Sequence, residues 1–342
     1  MQKEIVAPIK LLNESGHLNV AGYAKKMIID YDRFKIKASK FKIKEWDYYI
    51  VMAEDYAVAL TVADNSYMGL LSVSFLDFKN KHYKTSSIMK FFTFGKLKLP
   101  NTTKIGDIVY SSKKISISIT NDGNKRVLRC NMPNFDNNKS FICDITLFDE
   151  PSESMVIATP FKENKKAFYF NQKINAMKAS GKAIIGDQTY LFDDKSFGTL
   201  DWGRGVWTYK NTWYWGSCSG IVNDKRFGFN IGYGFGDTSN ATENMIIYDG
   251  KAHKLTDVTF NIPKINGKEE FLEEWTFTSS DKRFNMTFTP ILDRYDNTNL
   301  LLLASNQHQV FGYFSGTFVL DNNEVITLDK HIGFAEKVMN KW

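Results

Sequence analysis

Cysteine and arginine are both scarce in this chain of 342 residues, and each scarcity excludes something. The three cysteines, Cys130, Cys143 and Cys218, are an odd count without the paired spacing of a metal site. They exclude a disulfide framework and fit a reducing compartment, so the expected location is cytoplasmic. No metal and no redox cofactor is expected. The five histidines have no His-x-x-x-His or Cys-x-x-Cys companion. Seven arginines are scattered from Arg33 to Arg294, so no arginine stripe tracks phosphates, and nucleic acid is not an expected partner. The longest apolar run, Tyr48 to Ala53, is far short of the roughly 18 residues of a membrane helix, so no membrane span is expected. The first residues lack the basic-then-apolar order of a secretory signal. No glycine fingerprint opens a helix, which argues against a dinucleotide fold.

Aromatic residues are abundant: 27 Phe, 16 Tyr and 7 Trp. Their placement follows a period of two. Ile115, Ile117 and Ile119 alternate with Ser116, Ser118 and Thr120; Phe141, Cys143, Ile145 and Leu147 share one face; Phe284, Met286 and Phe288 repeat the pattern. Such alternation is that of half-buried strands. Turn signals separate these runs at Asn121-Asp122-Gly123, Gly186-Asp187, Asn223-Asp224, Asp249-Gly250, Asn266-Gly267 and Asp321-Asn322-Asn323. These residues tolerate the positive φ that tight hairpins require. The fold class is therefore all-β and mostly antiparallel, closed or folded over to manage its edges. The basic stretch from Arg33 to Lys44 alternates with Phe34, Ile36 and Ala38 and reads as a solvated strand face. Ser86 to Phe94 is ambiguous. One short C-terminal helix is expected, because Ile332, Ala335, Val338, Met339 and Trp342 fall on one helical face. A lysine-rich stretch over 162–182 precedes six of the seven tryptophans. It suggests two β halves, 1–185 and 186–342, the second carrying the Trp/Asp cluster.

That cluster is the densest chemical signal. Trp202, Trp207, Trp213 and Trp215 lie within fourteen residues, beside Asp193, Asp194, Asp201 and Arg204. On a strand, Trp213 and Trp215 point the same way, followed by Ser217 and Ser219. Gly198, Gly203 and Gly205 let the backbone turn and bring these side chains together. A carboxylic acid enclosed by indole rings loses hydration and keeps its proton, so it can act as a donor. The ring faces can also stabilise a developing cation. The alternative is packing tryptophans and a structural Asp–Arg pair. A second cluster alternates Glu45, Asp47 and Tyr49 with Trp46 and Tyr48. Trp46 and Asp47 are ligand-binding candidates, although Lys and Tyr neighbours could satisfy such an acid without any function. In a third, Phe227, Phe229, Ile231, Tyr233 and Phe235 alternate with glycines and Asn230. A glycine face admits a backbone, ring or ligand closely, which makes Asn230 a cavity candidate; barrel curvature explains the pattern equally well.

With these residues in view, the chain resembles the bacterial family known as domain of unknown function 2804. The likeness runs through residues 11–22 (LLNESGHLNVAG), 43–49 (IKEWDYY), 68–77 (MGLLSVSFLD), 194–198 (DKSFG), 201–207 (DWGRGVW) and 333–338 (GFAEKV). The central segment is also similar, more distantly, to the lipocalin-like superfamily of carotenoid hydratases and tocopherol cyclases. That resemblance implies two consecutive lipocalin-like, calycin-type antiparallel barrel or sandwich halves. The superfamily's linking segment has a Trp-Asp-His-x-Trp-Gly character. Here it matches Asp201, Trp202 and Gly203, or Asp194 with Lys195 where a histidine would stand.

The expected partner is one small apolar or amphipathic molecule in an aromatic-lined cavity. Three readings follow. A carrier has polar groups only at the cavity mouth. A cofactor-independent hydratase, cyclase or isomerase protonates an alkene with Asp201 or Asp194, assisted by Arg204, between walls of Trp202, Trp207, Trp213 and Trp215. A carbohydrate-handling protein stacks sugars on indoles and sets paired carboxylates about 5 to 9 Å apart.

Overall fold

The computed structural model describes residues 2–300 and 303–341. The turns that the sequence marks are where positive φ falls. Asn223 and Asp224 have φ of 53° and 57°, and Asp249 and Gly250 have 49° and 77°. Two consecutive left-handed residues make the tight hairpin turn whose twist suits antiparallel strands. Joined this way, the strands form two curled antiparallel half-barrel sheets of thirteen and nine strands.

The first sheet runs from the edge strand His82–Phe91 through Met68–Asp77, Tyr56–Asp64 and Ile43–Met52 to Phe197–Val206 and the 22-residue Asn164–Ile185. It continues through Lys139–Phe148 and Lys125–Asp136 to short strands at the far edge. The chain then crosses to the second sheet, where Lys210–Val222, Val325–Lys341, Leu303–Val319 and Phe284–Leu300 are consecutive neighbours. Alternation divides each strand between two destinations. In Ile43–Met52, Tyr49 and Val51 enter the core inside the first sheet, while Tyr48, Ile50 and Met52 face the second sheet. The hollow of the second sheet is filled by Phe227, Phe229, Trp275, Phe284 and Phe314, among others. A third apolar cluster, including Tyr48, Trp215, Leu292, Phe311 and Phe334, joins the two sheets.

A bulge fixes that junction. The register of Asn164–Ile185 against Phe197–Val206 shifts between Ile174 and Met177, and Ala176 has φ 57°. The extra residue turns Asn175 toward the second sheet, where its Nδ2 donates to Ser217 Oγ (2.7 Å) and Phe229 O (3.1 Å). The Ala176 N–H donates to Ser219 Oγ at 3.0 Å. Trp213, Trp215, Ser217 and Ser219 thus all look toward the first sheet, as period two requires.

Three expectations are corrected. The C-terminal segment is the strand Val325–Lys341, paired on both sides, not a helix. Its middle, residues 333–336, is buried on both faces. A strand buried on both faces has no polar alternation, so its apolar residues can mimic helical spacing. Trp342 lies outside the described residues. The stretch Arg33 to Lys44 is not a strand face over most of its length: it holds two single 3-10 turns, Arg33–Lys35 and Lys40–Lys42. Phe235 leaves the face of Phe227, because Gly234 (φ 94°) turns the chain after Tyr233. The ambiguous Ser86 to Phe94 resolves into the end of the strand His82–Phe91 and a loop. Among the described residues, no helix is long and apolar enough to cross a membrane.

Candidate active site between the two sheets

A cavity of about 790 Å³ opens between the sheets. Three strands of the first sheet lay its floor. Asp201 stands opposite Tyr48 on one side and Lys173 on the other, and Gly203 stands opposite Trp46. Cross-strand partners share a face, so Trp46, Tyr48, Lys173 and Asp201 all line the cavity. Gly203 is required here: a β-carbon at this position would overlap the Trp46 ring. From the second sheet come Trp213 and Trp215, and from the neighbouring strand Glu336, directly opposite Trp215.

The rings form a continuous wall. Trp46 meets Trp207 at 5.2 Å between centroids, Trp207 meets Trp213 at 6.0 Å, and Phe235 packs edge-on to Trp207 at 4.7 Å. Three carboxylates are set into it, and all are buried: Asp201, Glu243 and Glu336. Asp201 Oδ1 lies 2.8 Å from Lys173 Nζ and accepts from Asn171 Nδ2 at 2.7 Å. The same ammonium sits 3.7 Å over the Trp215 ring. Glu336 accepts from Trp213 Nε1 (3.1 Å) and from Gln309 Nε2 (3.0 Å). Glu243 is approached by Asn230 Nδ2 at 3.4 Å.

Electrostatics separate these acids. Burial raises Glu336 to about 7; Lys173, the Trp213 N–H and Arg294 oppose the rise, and Asp201 adds to it. Burial raises Glu243 as well, against the pull of Lys173 and the Asn230 hydrogen bond. Asp201 lies against Lys173 Nζ. The cavity thus sets a carboxyl that burial raises to about 7 beside an acid in contact with a lysine. Such a pair can donate a proton at one point and accept one at another.

The residues singled out in the sequence divide between cavity and scaffold. Asp201, Trp46, Trp207, Trp213 and Trp215 line the cavity. Trp202, Arg204 and Asp47 occupy the other face of the first sheet. There Arg204 is fully buried, donates to Asp47 Oδ1 at 2.9 Å and lies 4.1 Å over the Trp202 ring. Glu45 joins them, bonded to Arg33 and to Tyr31 OH. Asp194 is exposed in a turn, outside the cavity lining. Asn230 is buried behind the wall; it accepts from Trp215 Nε1 at 2.6 Å and donates to Glu243 O at 2.8 Å. The glycine face beside it admits side chains: a β-carbon on Gly232 would sit 2.8 Å from Glu243 Oε1. Lys173, Glu243, Gln309 and Glu336 were not predicted. Glu336 carries the one readable signal, an acid among the apolar residues Phe334, Ala335 and Val338, which needs a partner when buried.

The profile described as domain of unknown function (DUF2804) matches residues 2–342. The chain belongs to this family. No curated protein sequence matches it. Among solved structures it is similar to kievitone hydratase from Nectria haematococca, with 13% identity, 87% of this chain and 88% of that one covered, and a TM-score of 0.51. It is also similar to a Nitrosomonas europaea protein assigned as an AttH, with 10% identity, coverage of 90% and 96%, and a TM-score of 0.54. At these identities the likeness is one of fold.

Proposed function

We propose that this family member is a cofactor-independent acid–base enzyme that adds water to, or cyclises, an alkene in a small amphipathic substrate. The observation that carries the reading is the placement of Glu336, Glu243 and Asp201 in the depth of an indole-walled cavity. A carrier has no use for buried carboxylates, each of which costs free energy to desolvate. In the hydration direction, the Glu336 carboxyl gives its proton to one alkene carbon and becomes a carboxylate. Positive charge develops at the other carbon, facing Trp207 and Trp213. Water attacks that carbon and loses a proton to Asp201, whose geometry Lys173 and Asn171 hold. Return of that proton to Glu336 through solvent restores the site, and the net change is alkene plus water to alcohol. A hydratase with the same fold supports this direction by analogy.

The test begins with mass spectrometry of the organic molecule that co-purifies with the protein. That molecule, and isoprenoid or fatty alkenes, are then incubated in 18O-labelled water. Incorporation of label should fall at least about a hundredfold in Glu336→Gln and in Asp201→Asn, as removal of a general acid or base predicts. Turnover at the wild-type rate in both variants would refute the assignment.

A further inference from the structure

A surface beside the cavity combines large exposed rings with lysines that, among the described residues, pair with no carboxylate. Phe34, Phe41, Phe91 and Phe92 are 92%, 56%, 72% and 60% exposed, and Met89 is 57% exposed. Phe41 packs edge-on to Phe94 at 5.0 Å, and Phe94 stacks on Phe92 at 6.3 Å, so Phe41 and Phe92 are joined through Phe94. Solvent-facing phenylalanines in such number are unfavourable unless something covers them.

The rings are held outward by a built loop. Phe92 and Phe94 have φ of 57° and 45°, a region that bulky residues rarely enter. Buried Asp64 secures the loop, accepting from Thr93 Oγ1 (2.8 Å) and from the Gly95 N–H (2.9 Å). The N–H groups of Phe92 and Phe94 donate to Tyr67 O and Ser66 O.

Charge identifies the occupant. Lys35, Lys37, Lys40, Lys42, Lys90, Lys96 and Lys98 are all exposed around the rings. Among the described residues none of them is ion-paired with a carboxylate, and the sequence has no acid between Arg33 and Lys44 or between Asp77 and Asp107. We infer that this face docks on an anionic lipid bilayer, with the phenylalanines entering the headgroup boundary and the lysines meeting the lipid phosphates and carboxylates. Nucleic acid is a poorer fit, because the rings project outward and form no slot for a base. A second copy is also poorer, because seven lysines would face seven lysines.

Two of the exposed side chains, Met89 and Phe91, lie on a strand that lines the cavity. On the strand His82–Phe91, Thr85 and Ser87 line the cavity, and Met89 and Phe91 extend the same face outward. Met89 stands opposite cavity-lining Leu70. A docked protein would therefore hold its cavity rim against the membrane, so that a lipid-dissolved substrate enters without crossing water. That consequence rests on the acid–base reading above; docking itself does not.

Co-sedimentation with vesicles tests docking without any turnover. Wild-type protein should pellet with vesicles containing about one-third phosphatidylserine at least tenfold better than with phosphatidylcholine alone, and less as salt rises. Phe91→Ser with Phe92→Ser should lower the partition coefficient by about tenfold or more, and Lys96→Glu with Lys98→Glu should remove the phosphatidylserine preference, both without change in melting. A Phe92→Trp variant quenched by brominated lipids gives a readout that does not depend on the serine variant folding. The inference fails if phosphatidylserine vesicles leave the protein in the supernatant, or if the phenylalanine variant pellets like wild type. It also fails if the patch instead mediates dimers or oligonucleotide binding in the absence of vesicle binding.

Discussion

Glu336 offers a measurable coupling between the cavity and the stability of the whole fold. Its carboxyl rises from the 4.5 of a free glutamate to about 7. At about 1.4 kcal/mol per pH unit, this difference amounts to about 3 kcal/mol. The sign follows from which state holds the proton. Below about pH 4.5 both folded and unfolded chains are protonated at Glu336, and the full contribution is present. Between about pH 4.5 and 7 the unfolded chain releases its proton while the folded one keeps it, so stability falls by about 1.4 kcal/mol per pH unit. Above about pH 7 the folded carboxyl ionises too, and the contribution is gone.

Glu336→Gln removes the titration and leaves the shape. Its carbonyl can still accept from Trp213 Nε1, while its amide meets the Gln309 amide that Glu336 Oε2 accepted from. That mismatch costs about 1 kcal/mol and does not depend on pH. The stability of wild type relative to the variant should therefore decline by about 3 kcal/mol from about pH 4.5 to 8. Urea unfolding at a series of pH values, followed by tryptophan fluorescence, measures it. Parallel stability curves for the two proteins would show that Glu336 does not titrate near neutrality, and the acid role assigned to it would go.

Three further outcomes separate cavity from scaffold. Gly203→Ala should destabilise by about 3 kcal/mol or more in urea, because the new methyl meets a ring held between sheets. Asp201→Asn should cost about 3 to 5 kcal/mol by stranding buried Lys173, and adding Lys173→Met should recover most of it in a double-mutant cycle; a silent single variant would mean the pair is hydrated. Arg204→Met should cost a similar amount, through Asp47, yet leave Glu336 titrating near 7 by 13C NMR, since it acts on the opposite face of the sheet.

What the sequence made legible was whatever is enforced locally. Asn223-Asp224 and Asp249-Gly250 had to be hairpin turns because their positive φ is a property of two residues, wherever the strands lie. The alternation of Ile115 to Ile119 likewise needs only a wet face and a dry one. The tail escaped because Val325–Lys341 is central in its sheet and its middle, residues 333–336, is dry on both faces, which erases the alternation there. The tryptophan cluster drew attention to the right stretch, but contiguity misjudged its members. Trp202 and Asp201 are neighbours in sequence, and the pleat sends one into the core and the other into the cavity.

The acid–base residues show why the remainder was out of reach. Glu336 lies 121 positions from Trp215, and becomes its cross-strand partner only once Lys210–Val222 and Val325–Lys341 pair. Lys173 reads as one member of a lysine-rich run until the bulge at Ala176 and the pairing with Phe197–Val206 set it against Asp201. Each of these groups is costly alone: an acid or an ammonium among aromatic rings loses hydration that no neighbour in sequence replaces. Their partners come from the opposite sheet or from a strand folded back beside them. The stretch 333–338 that carries the family likeness contains Glu336, so the resemblance marked a position whose chemistry only the three-dimensional pairing explains. A site of this kind is a property of the junction between two half-barrels. Neither sheet alone holds both the raised carboxyl and the lysine-bound one, and the larger apolar core itself takes Met245, Ile247 and Ala252 from the second sheet, so the site and the core depend on the same junction.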